Sequence, residues 1–272
     1  MQLISAPLFV LAAKEFRDRL RNRWVMAVTL VFMGLSLVIS YFGTAQQGQI
    51  GMASIELTIT SLVSLAVYLI PLIALMLGYD AIVGERERGS LPLLLSLPIS
   101  RAEFLLGKYL GLALALSLAI LIGLSLVAVL MVSRFGWTGL FHYLGFMLSS
   151  VLLGLAFLSL ALCLSVIASD RTLASGIAIS LWFFFVLVFD LILLGLLVLS
   201  GGAVIGDVLG VALMLSPADV FRLLNMFSAN DIASAYGMGS ILPGVLNHEA
   251  LLLAVMVIWI VFPLVVARWR FK

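Results

Sequence analysis

The chain has 272 residues, of which 64% are hydrophobic and only 10% charged. A soluble domain is about half apolar and a quarter charged, so a large soluble core is excluded and the apolar excess has to face lipid. The single cysteine, Cys163, excludes an intrachain disulfide, and the formal charge of +2 matters only through its distribution along the chain.

The N-terminal stretch Met1 to Arg23 lacks the apolar core and small-residue cleavage site of a secretory leader. Within it, Ser5–Arg23 reads as an amphipathic helix. Phe9, Ala13, Phe16, Leu20 and Trp24 recur at helical spacing, with Lys14, Arg17, Asp18 and Arg21 between them. Such a helix lies in the membrane surface with its basic residues on anionic lipid, or serves as a plain basic anchor.

A helix needs roughly 20 apolar residues to cross a bilayer. Six stretches meet that length: Trp24–Phe42, Leu57–Val83, Phe104–Val132, Leu140–Ala168, Leu173–Ser200 and Ala250–Ala267. The predicted fold class is therefore all-α, a single polytopic membrane domain over residues 1–272. A seventh apolar piece, Ala203–Leu215, is too short to span and holds Asp207, which predicts a re-entrant or interfacial segment. Thirteen of the fifteen Lys and Arg residues flank one set of span ends, and only Arg134 and Arg222 fall on the other. By the positive-inside rule both termini are expected in the cytoplasm.

The connection after the second span, Gly84–Glu103, carries the most specific signals. It opens on Glu85, Arg86, Glu87 and Arg88 and then Gly89. Ser90 is placed to cap a helix, with Pro92 tolerated in its first turn. Leu91, Leu93, Leu94, Leu95 and Leu97 form an apolar patch too short to span, and Pro98 stops it. Ser100 and Glu103 form a capping box for the next helix, flanked by Arg101, with Ile99 and Phe104 at staple positions. The product is a short, greasy cytoplasmic helix with a charged rim. That is the anatomy of a docking surface, and it also fits leucines dipping back into the interface.

Intramembrane acids carry a functional expectation because lipid penalises them. Asp190 lies inside the fifth span and Asp80 near the inner end of the second. For Asp190 the alternatives are a hydroxyl or amide partner on a neighbouring helix and a polar cavity. Asp80 is expected to pair with Arg88 or with the N-terminal basic helix, holding the connection against the bundle.

The segment Gly201–Glu249 is long for a connection. Ser216-Pro217-Ala218-Asp219 is a second capping signature, with Leu215 and Val220 as its staple, and predicts a helix over Pro217–Phe227. Pro217, Asp219, Phe221, Arg222 and Asn225 are candidates for contact with a partner on the outer face. A lid over the outer end of the bundle is the alternative.

No nucleotide site is expected. Gly107-Lys108 is followed by Tyr109 and lacks the upstream glycine of a phosphate-binding loop. It reads instead as a small packing residue beside a snorkelling lysine. No paired cysteines or histidines stand at metal-ligand spacing, and the eleven methionines, Met226 and Met238 among them, show no repeated short spacing. No metal and no nucleic-acid partner are expected. An intramembrane enzyme needs paired catalytic groups at one depth, and Asp190 stands alone.

The run Glu85-Arg86-Glu87-Arg88-Gly89-Ser90-Leu91, then Leu95-Ser96-Leu97-Pro98-Ile99-Ser100-Arg101 and Gly107-Lys108, resembles the ABC-2 family of ABC-transporter permeases. The resemblance covers nearly the whole chain. It implies that the segment after the second span is a coupling helix and that the chain pairs with a second copy of itself. It also implies that ATP and Mg are bound by a separate ATPase, with no cofactor on this chain. Within the family the chain is most similar to permeases that act in copper-site maturation of nitrous oxide reductase with an ATPase (NosF-like) and a periplasmic protein (NosD-like). The residues carrying that likeness are Lys14-Glu15-Phe16-Arg17-Asp18, Leu20-Arg21-Asn22-Arg23-Trp24, Gly78-Tyr79-Asp80 and Leu215 through Asn225. The other branch is a general exporter of a drug, lipid or glycan.

Overall fold

The computed structural model describes residues 6–42, 52, 54–96, 98–199, 207–227 and 249–271. Among them there are helices and no strand. In chain order the helices are α1 (Ala6–Leu20), α2 (Arg23–Phe42), α3 (Ile55–Gly78), α4 (Val83–Glu87), α5 (Leu91–Leu95) and α6 (Arg101–Ile167). There follow α7 (Arg171–Phe183), a π-helical turn (Phe184–Val188), α8 (Phe189–Leu199), α9 (Asp207–Met214), α10 (Pro217–Phe227) and α11 (Glu249–Arg270). Six stretches are long and apolar enough to cross a membrane: Val25–Phe42, Ile55–Glu87, Arg101–Trp137, Gly139–Ile167, Arg171–Leu199 and Glu249–Arg270. These match the six spans read from the sequence, each within a few residues at its ends.

Spans three and four are the two halves of α6. The helix reverses at Gly136, whose φ of 69° and ψ of −161° are not helical. That left-handed φ strains any residue with a Cβ, which is why glycine stands there. The halves run back antiparallel: the Tyr143 hydroxyl donates to the Leu124 carbonyl at 3.1 Å, and the Tyr109 hydroxyl to that of Leu155 at 3.2 Å. Span four is the centre of the bundle, with two thirds of its apolar window buried, whereas span five buries only 11% of its own.

The first helix does not simply float on lipid. Leu8, Ala12 and Glu15 are buried against α6. A Cβ at Gly111 would lie 2.6 Å from the Ala12 carbonyl oxygen, and one at Gly107 3.0 Å from Leu11 Cδ2. Two glycines four residues apart therefore let α1 approach the backbone of α6, the small-residue device of membrane helix packing. Phe9 and Val10 on the other side of α1 are 60% and 67% exposed, which leaves that side for lipid.

Candidate functional site: a coupling segment clamped at the basic end

Helix α4 ends in a Schellman motif. The Ser90 N–H donates to the Glu85 carbonyl and the Gly89 N–H to that of Arg86, both at 3.1 Å. Gly89 adopts the left-handed φ of 69° that this stop requires. The chain then enters α5. Ser90 precedes it, but its side chain does not cap it. The hydroxyl donates backwards instead, to the carbonyl and carboxylate of Glu85. That corrects the expected cap: the hydroxyl is spent as a donor to an anionic carboxylate rather than as an acceptor for a first-turn amide N–H.

The five leucines do not form one exposed patch. Leu93 projects, 73% exposed, while Leu91, Leu94 and Leu95 are half-buried against the core. Leu97 lies outside the described residues. The expected Ser100 and Glu103 capping box is present in full, and Arg101 beside it is exposed.

The charged residues before α5 hold this segment to the bundle. Arg86 donates to the carbonyls of Ala168 at 2.8 Å and Val166 at 3.1 Å. It thus satisfies acceptors left open where α6 ends while its side chain stays exposed. Ser165 accepts from the amides of Ile82 and Val83 at 2.8 and 3.0 Å. Asp80 meets Arg171 Nε at 2.7 Å, side-on rather than as an aligned hydrogen bond, and Arg88 at 3.7 Å. The Arg88 partner is as expected. The second partner, Arg171 at the head of span five, replaces the N-terminal helix. Glu87 accepts from the Arg171 amide at 2.7 Å and pairs with its side chain at 3.3 Å.

Lys108 is the largest departure from the sequence reading. It does not snorkel: its side chain is 4% exposed and sits between Glu85 at 3.0 Å and Glu15 at 3.3 Å. Burying three charges is costly unless each is paired. Here the lysine ties α1, α4 and α6 together. The Gly107-x-x-x-Gly111 spacing around it was the available signal, because the close approach of α1 is what brings Glu15 to the ammonium. A polar cleft of about 350 Å³ opens beside it, lined in part by Lys14, Asp18, Arg19 and Asn22 of the N-terminal region.

At the opposite end, α10 spans the predicted residues and starts at the predicted cap, with Ser216 Oγ accepting from the Asp219 amide at 3.3 Å. Leu215 is 59% exposed, so it does not close the expected staple over buried Val220. The helix packs between α3, α6 and α11. Phe221 is fully buried, and Asp219 and Asn225 are 4% and 6% exposed. Pro217 is buried as well. These side chains plug the bundle in this conformation and offer a partner no surface.

Asp190 does have a partner, and it is neither hydroxyl nor amide. Arg222 Nη1 lies 2.7 Å from Asp190 Oδ1 and 2.7 Å from Asp219 Oδ1. Asn225 donates to Ser149 at 3.0 Å and to the Phe221 carbonyl at 2.8 Å. Burial, resisted by the Arg222 charge, pushes the Asp219 carboxyl up to about 6. Of the long segment Gly201–Glu249, residues 201–206 and 228–248, Met238 among them, lie outside the described residues. Among the described residues no three His, Cys, Asp or Glu side chains gather as a metal-binding group.

Residues 9–272 match the profile of the ABC-2 family transporter proteins. A probable ABC transporter permease protein NosY of Stutzerimonas stutzeri is 45% identical over 266 residues, 96% of either chain. One of Pseudomonas aeruginosa PAO1 is 49% identical over 234 residues, 85% of either chain.

Proposed function

We propose a function from one established premise: the chain belongs to the ABC-2 family of transporter proteins. It is a multi-pass permease subunit of the bacterial inner membrane. Both termini and the basic end face the cytoplasm. ATP and Mg are bound by a separate, NosF-like ATPase, and this chain binds no cofactor and does no chemistry of its own. Two copies of the permease meet two copies of the ATPase. A NosD-like periplasmic protein receives the output, in copper-centre maturation of nitrous oxide reductase, as the NosY name of the relatives supports.

The observation that carries this reading is the clamped coupling segment. Leu93 stands out from α5 while Arg86, Glu85 and Glu87 fix α4 to the cytoplasmic ends of spans three, four and five. A surface that must receive force needs one projecting contact and a stiff mounting behind it. The test is co-purification. Leu93→Asp is expected to release the ATPase from the membrane complex while the permease stays folded. Full retention of the ATPase on Leu93→Asp would overturn the docking assignment.

A further inference from the structure

Span five has an unusual mounting. Its described side chains are mostly unpacked. The buried ones are Ala174 and Ala178 near its start and Phe185 and Val186 in the π turn, and α8 beyond them buries none. The turn is gripped from two sides: the Phe185 ring lies 6.0 Å from that of Phe157 and 5.5 Å from that of Trp259, both near-perpendicular. A single π turn inside an α-helix is rare and breaks the regular ladder.

Each side of that grip carries an ionic joint to a different moving part. On the basic side, Arg171 binds Asp80 and Glu87 and also donates to the Gly84 carbonyl at 3.3 Å. Those acceptors lie on, or next to, the coupling segment. On the other side, Asp190 binds Arg222 of the plug helix α10 at 2.7 Å. Asp190 stands nine residues before the end of α8 at Leu199, roughly 13 Å along the axis at 1.5 Å per residue. The contact is direct and charge-assisted, and both side chains are only partly exposed, so it ties span five to α10.

We infer that span five is a lever, pivoting at Phe184–Val188, in which Arg171 takes up movement of the coupling segment and Asp190 delivers it to α10 through Arg222. The inference rests on the reading that an ATPase drives the coupling segment. Arg171 and Asp190 are positioning residues in this scheme and touch no substrate. Physical adjacency alone does not establish coupling, so the joints have to be broken one at a time.

The experiment uses the complex with its ATPase in phospholipid nanodiscs, with Cys163→Ser and a reporter, Leu223→Cys, on the buried side of α10. The rate of labelling by a membrane-impermeant maleimide is compared without nucleotide and after trapping with ATP and vanadate. With both joints intact, the rate is expected to change at least fivefold. Asp190→Asn should reduce the change to under twofold while ATP hydrolysis continues, and Asp190→Glu should restore most of it. Arg171→Gln should do the same at the other joint, rescued by Arg171→Lys. Should Arg171→Gln fail to assemble, Glu87→Gln weakens that joint more gently and is expected to lower the change in proportion. A full response in Asp190→Asn, or in the Arg171 and Glu87 variants, overturns the lever alone. The absence of any nucleotide response with both joints intact overturns the ATPase-coupling reading and the lever with it.

Discussion

The two ends of this bundle solve the problem of fixed charge in opposite ways. At the basic end, acids and bases alternate along short sequence and settle around a polar cleft, with Asp80, Glu87, Arg88 and Arg171 partly open to water. At the other end, one arginine bridges two unlike carboxylates: Asp219 is nearly sealed, whereas Asp190 and Arg222 itself are partly exposed. Partly solvated pairs are individually weak and can be exchanged. Sealed pairs are costly to break because the survivor stays charged in a poor solvent. The basic-end pairs are therefore open to exchange, whereas at the far end the sealed Asp219 keeps Arg222 in place.

Lys108 is the exception that sharpens this contrast, since it is sealed within the basic end. Lys108→Met removes the cation between Glu15 and Glu85 and leaves Glu15 with Arg19 alone at 3.4 Å, and a loss of about 3 kcal/mol is expected on removal of one partner of a buried ion group. Thermal unfolding of the purified protein in detergent would report it, and Glu15→Gln in the same background should recover part of the loss. Gly111→Val should follow, at about 1–3 kcal/mol for an overpacked contact, because its Cβ meets the Ala12 carbonyl and Glu15 Cβ at 2.6 Å. Limited proteolysis of the loosened α1 is the check.

At the far end, Asn225→Leu removes donors to Ser149 and the Phe221 carbonyl. Hydrogen bonds between membrane helices are modest, about 0.6 kcal/mol on average, so the midpoint should drop by no more than a few degrees. The pH response is smaller still and has a definite sign. A carboxyl whose pKa is raised to about 6 on folding binds its proton more tightly in the native state. Its contribution is present at acid pH and is lost as pH rises from about 4 through 6. The melting temperature of the parent should fall across that window relative to Asp219→Asn, and parallel curves would show that Asp219 is ionised throughout.

The spans were legible because each is written locally: some twenty apolar residues in register, bounded by caps. Ser100 with Glu103 and Ser216 ahead of α10 are signals over three residues, and both appear where the sequence places them. What the sequence hid were the partners. Asp190 and Arg222 are 32 residues apart, and Arg86 reaches carbonyls some 80 residues away. No periodicity encodes such pairs, since they depend on how separately formed helices come together. Phe221 looked like an outer contact because hydrophobicity is a property of a residue, whereas burial is a property of the assembly. Gly107 and Gly111 marked a close approach, without naming α1 as the helix that makes it.

The reversal at Gly136 has a consequence for how the protein is made. Spans three and four are two antiparallel helices joined by a turn with a single non-helical residue, so only a short stretch, with Arg134 as its one fixed charge, has to be carried across the bilayer at that point. The two halves are expected to leave the insertion machinery together as a preformed hairpin, with the Tyr143 and Tyr109 hydroxyls already bonded across it. A ribosome-nascent-chain series truncated between the halves would test this, because insertion of the first half should stay reversible until the second has emerged. Gly136→Val would then act during biogenesis, lowering the yield of inserted protein more than the stability of the molecules that succeed.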